Sequence, residues 1–363
     1  MKLLFFIGAM NGGGAQRVMA NLTNGLLKKG HEVYLAYDMN QNSSFDLDSR
    51  IICINSREGC VPNVWYKKTH LYRRPRYLLN IRKIARRIQP DIAISFMTNV
   101  NADVILMLKG LNIPIIVSEH TNISRNRGRK ISFIHKRLYP LAKAVTLLTK
   151  YDCDYWSGEY KNIEYMPNPS DSKKTYHNQE RRNVVISAGR VTDWETKGFD
   201  NLIRAWAIIE KNHPDWRLQI IGAGRDCDFE YLKGLAKEVV AKNVDFLGFR
   251  KDIQEIMSAS AIYCLSSRHE GLPMVLIEAM NAGCCCVSFD CKTGPREIID
   301  DNISGLLVRD QDVSDLVDKL TKVIENSSLR NLLAKNAPSS VERYSMAKIL
   351  EKWELLFEKV LKK

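Results

Sequence analysis

The sequence predicts an α/β protein built from two tandem doubly wound domains. Short apolar runs of strand length alternate with amphipathic stretches of helical period in both halves, the pattern of parallel sheets covered by helices on both faces. A polar segment with two prolines separates the halves, and 363 residues are more than one hydrophobic core usually serves. We therefore expect two Rossmann-like domains.

The strands are predicted from their apolar runs: LLFFIG, EVYLAY, DIAISF, IPIIVSEH and AVTLLT in the first half, then NVVISAGR, WRLQIIGAG, VDFLG, AIYCLS, CCCVSFD and GLLVR. A helix is predicted after Pro75. The segment 164–182 lacks an apolar period and is predicted to be the linker. The C-terminal segment is a predicted amphipathic helix that joins the first domain. The predicted domains are thus residues 1–170 with 345–363, and residues 171–344.

Positive charge is concentrated in the first half. The net charge is +13, and the first 170 residues hold 25 Lys and Arg against 12 Asp and Glu, whereas the remainder holds 29 of each. The densest basic runs cover 66–88 and 124–137. Basic residues mixed with Trp65, Tyr66, Tyr72 and Leu79 suit anionic lipid headgroups, and they also suit nucleic acid or a merely solvated surface.

The apolar runs and the cysteines indicate the cellular compartment. The longest apolar runs, KLLFFIGAM and CCCVSF, are far shorter than the roughly 18–20 residues of a membrane span. The NGGGAQR segment after the first run lacks the cleavage pattern of a signal peptide. Nine cysteines, with no CxxC pair or Cys/His metal spacing, fit reduced thiols. We predict a cytoplasmic protein without a metal site.

Ligands of doubly wound domains bind at the carboxyl ends of strands, where loops lead into helix N-termini. After the first strand, GAMNGGGAQR places Gly13 and Gly14 at a helix start, where bare backbone can approach phosphate or sugar oxygens. The loop is not GxGxxG, and a plain tight turn is the alternative. After the fourth strand, VSEHTN places Glu119 and His120, for which a structural histidine is the alternative.

The second half offers basic residues after its first strand. Arg190 stands at the strand end, and Lys197 stands just before a glycine and a helix. A planar guanidinium and a point-charge ammonium together suit a diphosphate. Surface charges without a role are the alternative.

The stretch RHEGLPMVLIEAM carries two glutamates around a helix start. Glu270 precedes Gly271 and Leu272, whose N–H groups are expected to face a ligand because they come before the first helical turn. Glu278 lies about two turns into the predicted helix, on or close to the face of Glu270. In so apolar a segment a solvated acid fits badly, and a buried one needs hydrogen-bond donors such as sugar hydroxyls.

These motifs together resemble a known family. The glutamate pair in EGLPMVLIEAM, followed by GPREIIDDNISGLLV and preceded by NGGGAQR, VSEHTN, GRVTDWETKG and IIGAG, resembles retaining glycosyltransferases of family 4 (group 1) with the GT-B fold, which include bacterial transferases of surface polysaccharides. The resemblance covers nearly the whole chain. It implies two Rossmann-like domains that face each other across a cleft, the first for the acceptor and the second for the donor. Gln16 departs from the family, which usually has an acid there, and the interval from Arg190 to Lys197 is about one residue longer than common.

For the second domain, the resemblance implies a nucleotide-sugar site. Arg190 and Lys197 would neutralise the diphosphate leaving group. Glu278 would bind the ribose hydroxyls, while Glu270 and the two N–H groups after it would contact the sugar or its phosphates. For the first domain, the resemblance implies that Gly13 and Gly14 bind the donor by approaching its phosphates.

His120 would meet the sugar near the acceptor, as the remaining member of the implied catalytic set with Arg190, Lys197 and Glu270. The implied reaction moves a hexose or N-acetylhexosamine from a nucleotide-diphosphate sugar, with a UDP-sugar expected, to a lipid-linked or oligosaccharide acceptor. No further cofactor is expected. The basic first domain would dock on the anionic inner face of the cell membrane.

The residues also bear on three rival classes of protein. A metal-using glycosyltransferase of the other fold needs Asp-x-Asp after a strand, and such triplets begin at Asp46, Asp152 and Asp226, but the last opens a predicted helix where acids are ordinary caps. A nucleotide-sugar epimerase needs acids and histidines over C2 of the sugar, and no such set is evident. A basic nucleic-acid-binding protein would leave Arg190 and Lys197 unexplained. We therefore expect neither a divalent-metal requirement nor a nucleic-acid partner.

Overall fold

The computed structural model describes residues 1–41, 43–59, 70–120, 128–159, 161–170 and 181–362, with the side chains of 70–74 excepted. The chain forms two compact units. Unit 1 comprises Met1–Pro169 with Met346–Lys363, and unit 2 comprises Ser170–Ser345.

Unit 1 contains a seven-stranded sheet in which every neighbouring pair is parallel. Its order is β3-β2-β1-β4-β5-β6-β7. The strands are β1 (Lys2–Phe6), β2 (Glu32–Tyr37), β3 (Ile52–Asn55), β4 (Ile92–Phe96), β5 (Ile115–Ser118), β6 (Ala144–Leu147) and β7 (Ile163–Tyr165).

Helices cover both faces of this sheet. They are α1 (Gly14–Lys28), α2 (His70–Ile88), α3 (Thr98–Leu108), α4 (Gly128–Phe133), α5 (Lys150–Trp156) and the C-terminal α14 (Met346–Lys362). Successive β1 side chains alternate between the faces, so that Leu3 and Phe5 pack with α1 and α14, and Leu4 and Phe6 pack with α2 and α3. The near-continuous apolar sequence of β1 is explained by this two-sided burial.

Unit 2 repeats the plan with a six-stranded parallel sheet of order β10-β9-β8-β11-β12-β13. The strands are β8 (Arg182–Ala188), β9 (Arg217–Ile221), β10 (Val244–Gly248), β11 (Ser260–Leu265), β12 (Cys285–Phe289) and β13 (Leu306–Val308). The helices are α6 (Trp194–Lys197), α7 (Phe199–Ile209), α8 (Asp226–Glu238), α9 (Ile253–Ala259), α10 (Met274–Asn281), α11 (Pro295–Ile298), α12 (Val313–Glu325) and α13 (Ser327–Ser340).

Both sheets reverse their strand order next to the first strand of the unit, which is the topological switch point of doubly wound folds. The predicted fold class is therefore confirmed: each unit is a Rossmann-like α/β layer structure. The loops after the first and fourth strands of each sheet leave on the same edge because parallel strands share one direction.

The structure differs from the sequence prediction in three places. Strands β3 and β7 were not predicted, because ICIN and IEY are short and half polar. Helix α2 begins at His70 and includes Pro75, whereas the prediction began it after that proline. The predicted linker 164–182 overlaps the ends of β7 and β8, and residues 171–180 lie outside the described residues.

Strand ends in unit 2 approach one another too closely for a side chain at Gly222. A Cβ added there would lie 1.7 Å from the carbonyl oxygen of Gly189. We expect Gly222→Ala to lower the free energy of unfolding by about 1–3 kcal/mol or more, as overpacking does. Urea-unfolding midpoints measure this change.

The matched control is Gly234→Ala in α8, where an added Cβ meets no atom within 4 Å. Alanine is the better helix former, so this variant should gain roughly 0.5–1 kcal/mol. Equal midpoints for the two variants would show that the close approach at Gly222 is not a constraint.

Candidate functional site

The carboxyl edge of the unit 2 sheet gathers loops that are distant in sequence. The Ser266 hydroxyl after β11 donates to the carbonyl of Lys197 at 2.9 Å. The Arg268 N–H donates to the Thr196 carbonyl at 2.8 Å. The Thr293 hydroxyl after β12 donates to the Glu270 carbonyl. The loops after β8, β11 and β12 thus form one connected surface.

An ion pair lies in this surface. Lys197 Nζ is 2.8 Å from Glu270 Oε1, with side-chain exposures of 20% and 11%. The Ser267 hydroxyl donates to the same carboxylate oxygen at 2.7 Å. The sequence predicted the two residues as separate ligand contacts, and the structure brings them into direct contact. The ammonium is therefore held in one position, near the strand ends, by a carboxylate that an anion could replace.

Gly198 makes the approach of these loops possible. It ends α6 in the left-handed conformation, at φ 63°, and an added Cβ would lie 1.9 Å from the Ser266 carbonyl oxygen. Only glycine combines that backbone angle with that contact. The lysine at the end of α6 consequently sits directly against the loop that carries Glu270.

Arg268 fixes the same loop from its other side. Its guanidinium donates to both carboxylate oxygens of Asp200, at 2.8 and 2.7 Å, in the first turn of α7. The hydrogen bonds to Asp200 raise the pKa of Arg268, so its charge is permanent. Sequence reasoning missed this pair, because the two residues are 68 positions apart in the chain.

Arg190 follows β8 and precedes a single 3₁₀ turn, Val191–Asp193. Its side chain is exposed. Within the described parts of the chain, no carboxylate or carbonyl pairs with its guanidinium. It is therefore a cation available to an anionic ligand at this edge, unlike Lys197.

Helix α10 begins after Pro273 and carries Glu278 on a buried face. Glu278 is 5% exposed, as the apolar sequence around it predicted. Glu270 lies in the loop before α10, as predicted, and the extended backbone of Pro273 separates it from the helix. Glu278 has an interaction partner in the structure.

The N–H groups of Gly271 and Leu272 precede the first turn of α10. Among the described residues, neither N–H group donates to a backbone or side-chain acceptor. Leu272 is nevertheless 6% exposed. Unpaired backbone donors at a helix start are suited to oxygens of an anion or a sugar.

Two of the three Asp-x-Asp triplets, those at Asp152 and Asp226, serve helix starts, and the third lies in a loop in which Asp48 accepts from the backbone N–H and guanidinium of Arg50. Asp228 accepts from the Arg225 N–H at 3.1 Å and from its guanidinium at 2.8 Å, as a cap of α8. The Asp152 N–H in α5 donates to the Thr149 hydroxyl. Throughout the ranges that the structure describes, no three His, Cys, Asp or Glu side chains are grouped to hold a metal ion.

In unit 1, His120 lies just after β5 at the carboxyl edge of the sheet. Its ring packs on Phe96, with ring centroids 4.1 Å apart, and its Nε2 is 3.1 Å from the Ser118 hydroxyl. Burial lowers the pKa of His120 to about 4, against the opposing effects of Glu119 and Asn168. The ring is therefore neutral at physiological pH.

The neighbouring Glu119 is 1% exposed. Its Oε2 accepts from the Thr98 hydroxyl at 2.6 Å and the Tyr139 hydroxyl at 2.7 Å, and His135 Nε2 lies 3.6 Å away. Sequence reasoning placed Glu119 at the strand end but missed these partners, which come from α3 and from the turns that follow α4. They hold the segment that carries His120.

Gly13 and Gly14 lie at the same edge of unit 1. Gly13 is the N-cap of α1, with φ 121°, and Gly14 is the first residue of that helix. An added Cβ at Gly13 would lie 2.6 Å from Gln16 Oε1. No acid stands in the first turn of α1, so nothing in that turn opposes an anion there.

The predicted site residues therefore divide between the two units. Arg190, Lys197, Glu270, Gly271, Leu272 and Glu278 occupy the carboxyl edge of unit 2 or the helix that starts there, and Gly13, Gly14 and His120 occupy the carboxyl edge of unit 1.

Family models and relatives agree with this architecture. Residues 12–174 match the model "Glycosyltransferase Family 4", and residues 170–340 match "Glycosyl transferases group 1". The chain is 28% identical, over 99% of both chains, to the Campylobacter jejuni GalNAc-alpha-(1->4)-GalNAc-alpha-(1->3)-diNAcBac-PP-undecaprenol alpha-1,4-N-acetyl-D-galactosaminyltransferase. It is 29% identical to the amylovoran biosynthesis glycosyltransferase AmsD of Erwinia amylovora, over 97% of this chain and 98% of that one.

Among solved structures, the fold matches that of Anabaena HepE in complex with UDP and glucose, with a TM-score of 0.79, 17% identity, and coverage of 99% of this chain and 100% of that one. The two family models together account for nearly the whole length, one for each Rossmann-like unit. This chain belongs to the family 4, group 1 glycosyltransferases with the GT-B fold.

Proposed function

We propose that the protein is a retaining, metal-independent glycosyltransferase that moves a hexose or N-acetylhexosamine from a nucleotide-diphosphate sugar to a lipid-linked glycan in surface polysaccharide or glycan biosynthesis. One observation carries the proposal. At the carboxyl edge of unit 2, the loops after β8 and β11 and the helix α10 carry a paired ammonium, a buried glutamate and, within the described residues, an unpaired guanidinium and two unpaired backbone N–H groups, in a chain of this family.

These groups match the parts of a nucleotide sugar. The Arg190 guanidinium and the Lys197 ammonium are suited to the diphosphate, which would replace Glu270 as the partner of the lysine. The N–H groups of Gly271 and Leu272 are suited to phosphate or sugar oxygens. The Glu278 carboxylate is suited to the ribose hydroxyls, because carboxylate oxygens accept several hydrogen bonds and sugar hydroxyls are donors.

Two relatives support the choice of substrates. The Campylobacter enzyme is named for transfer of N-acetylgalactosamine to an undecaprenol-linked glycan, and the Anabaena protein was solved with UDP and glucose. A UDP-sugar donor and an acceptor joined to a polyprenyl diphosphate are therefore the substrates that we assign.

The charges that develop on the sugar and on the leaving diphosphate determine which residues assist the reaction. As the bond between C1 of the sugar and the phosphate oxygen breaks, the sugar becomes cationic and the nucleoside diphosphate gains negative charge. Fixed cations and helix N–H groups lower this barrier because they need no reorganisation as the charge appears. We assign that role to Arg190, Lys197 and the start of α10.

Retention follows if the acceptor attacks from the side that the phosphate leaves. The acceptor oxygen forms the new bond to C1, and its proton passes to a phosphate oxygen of the departing diphosphate, so no enzyme nucleophile is needed. We assign His120 to the sugar, as a neutral hydrogen-bonding group. NMR of the product's anomeric configuration tests retention.

Membrane docking is assigned to a basic surface of unit 1. It consists of Arg129, Lys130 and Arg137 with Phe133 and Leu141, whose side chains are all exposed. Phe133 is 59% exposed and Leu141 57%. Cations beside exposed apolar side chains favour an anionic bilayer interface.

This surface belongs to the second basic run, of which residues 124–127 lie outside the described residues. In the first run, residues 66–69 lie outside them too, with Trp65, whereas Leu79 is exposed on α2. No helix in the described ranges has the length and hydropathy needed to cross a bilayer. We propose peripheral attachment at the inner face of the cell membrane.

Glu278→Gln should weaken UDP binding roughly 10- to 150-fold, because hydrogen bonds to a charged group are worth about 1.5–3 kcal/mol. Isothermal calorimetry measures the change in Kd. The exposed Glu238→Gln in α8 is the matched control and should bind as the wild type does. Equal affinity in the Glu278→Gln variant would remove that carboxylate from the donor site.

Lys197→Met should lower kcat roughly 10- to 150-fold, since a charge-assisted contact with the leaving diphosphate is lost. Lys233→Met, an exposed lysine of α8, controls for the loss of one positive charge. The double variant Lys197→Met with Glu270→Gln distinguishes loss of the contact with the diphosphate from the effect of leaving the Glu270 carboxylate unpaired. Full recovery of kcat in the double variant would mean that an unpaired Glu270, not the diphosphate, accounted for the loss.

Arg129→Gln with Arg137→Gln should reduce binding to vesicles that contain phosphatidylglycerol by about 30-fold, at about 1 kcal/mol for each charge near an anionic surface. Lys233→Gln with Lys237→Gln removes the same charge from unit 2 and should have no such effect. Vesicle co-sedimentation at two salt concentrations gives the measurement. Equal losses in both double variants would indicate net charge alone, without a docking surface.

A further inference from the structure

A chain of hydroxyl groups leads from the interior of unit 1 to the ring of His120. Thr146, in β6, is fully buried. Its Oγ1 is 2.7 Å from Ser118 Oγ in the neighbouring strand β5, and Ser118 Oγ is 3.1 Å from His120 Nε2. The sequence motif VSEHTN gave no sign of this chain, since Thr146 comes from a separate strand.

The three groups can share their hydrogens in two orders. In the first, Thr146 donates to Ser118 and Ser118 donates to Nε2, so the neutral ring carries its proton on Nδ1. In the second, Nε2–H donates to Ser118 and Ser118 donates to Thr146. A neutral imidazole has one donor nitrogen and one acceptor nitrogen, so the order fixes the tautomer.

Counting unsatisfied groups decides between the two orders. Within the described part of unit 1, Thr146 Oγ1 has no hydrogen-bond partner other than Ser118 Oγ. The buried His120 Nδ1 makes no hydrogen bond of standard geometry, although the Asn168 side chain lies close enough to the ring to raise its pKa. The second order would bury the Thr146 hydroxyl hydrogen without an acceptor and also leave Nδ1 as an unpaired acceptor. The first order leaves a single unsatisfied group, the Nδ1–H, and each buried unpaired group costs about 1–3 kcal/mol.

The surroundings hold the ring in this arrangement. The Phe96 ring packs against the imidazole with planes inclined at 31°. The adjacent carboxylate of Glu119 is already engaged by the Thr98 and Tyr139 hydroxyls. Burial and Glu119 raise the pKa of Tyr139 well above its ordinary value, so this phenol stays a donor.

We infer that the hydroxyls of Thr146 and Ser118 are positioning groups that hold His120 in the Nδ1–H tautomer, so that the ring offers a hydrogen-bond donor, rather than an acceptor, to its ligand. This inference deepens the proposed function, on which the assignment of that ligand as a sugar hydroxyl rests. Thr146 and Ser118 are thus specified as positioning residues, which act only through His120.

The tautomer can be measured directly on the full-length protein. Uniform labelling of histidine with ¹⁵N, with His120→Gln to assign the signals, gives the two ring-nitrogen shifts at neutral pH. The expected spectrum has a protonated, pyrrole-type Nδ1 and an unprotonated, pyridine-type Nε2. A protonated Nε2 in the wild type overturns the inference, whatever the activity.

Variants of Thr146 test whether its hydroxyl determines the tautomer of His120. Thr146→Val removes the first donor, so Ser118 can turn either way, and the Nε2 signal should shift towards an average of both tautomers. Thr146→Ser keeps the hydroxyl and should keep the wild-type shifts. Nδ1 and Nε2 shifts in Thr146→Val that equal those of the wild type would overturn the role of Thr146.

Kinetics complete the test. Thr146→Val should lower kcat/KM for the donor about 2- to 10-fold, the range of one neutral hydrogen bond, with Thr146→Ser close to wild type. The two failures are distinguishable. Loss of all nucleotide binding in the wild type would overturn the proposed function and leave the tautomer result standing, whereas the wrong tautomer would overturn the inference alone.

Discussion

Parallel pairing of every strand is the constraint on which both units depend. Because all strands of a sheet point the same way, the loops after β8, β11 and β12 leave on one edge, and Lys197 can meet Glu270 across 73 residues of sequence. The same constraint brings Thr146, in β6, beside Ser118, in β5. In each unit, the candidate site residues thus lie at the carboxyl ends of the strands, where backbone N–H groups are no longer paired with a neighbouring strand.

The polar groups at the carboxyl edge of each sheet are incompletely hydrogen-bonded. Among the described residues, the guanidinium of Arg190 and the two backbone N–H groups before α10 have no acceptor, and His120 Nδ1 makes no hydrogen bond of standard geometry. Elsewhere in the described core, carboxylates such as Glu119 have hydrogen-bond donors. A buried donor without a partner costs stability, so the unpaired groups at these strand ends are candidates for contact with a ligand.

The sequence predicts features that a local pattern determines, such as strands and burial. It does not predict contacts between residues that are distant in the chain. The longer apolar strands and the burial of Glu278 were readable because apolar runs report two-sided burial. Strands β3 and β7 were missed, since four and three residues carry too little pattern. The Lys197–Glu270 pair and the hydroxyl chain at His120 were invisible, because each joins residues from separate strands or loops.

The measurement that tests the central claim most directly is hydrogen–deuterium exchange of the wild-type protein with saturating UDP, GDP or ADP. The account predicts that one nucleotide, in the presence of EDTA, slows exchange in the peptide that spans Gly271, Leu272 and the first turn of α10, since phosphate or sugar oxygens would occupy those donors. Binding without protection there, or protection by none of the three nucleotides, would contradict it.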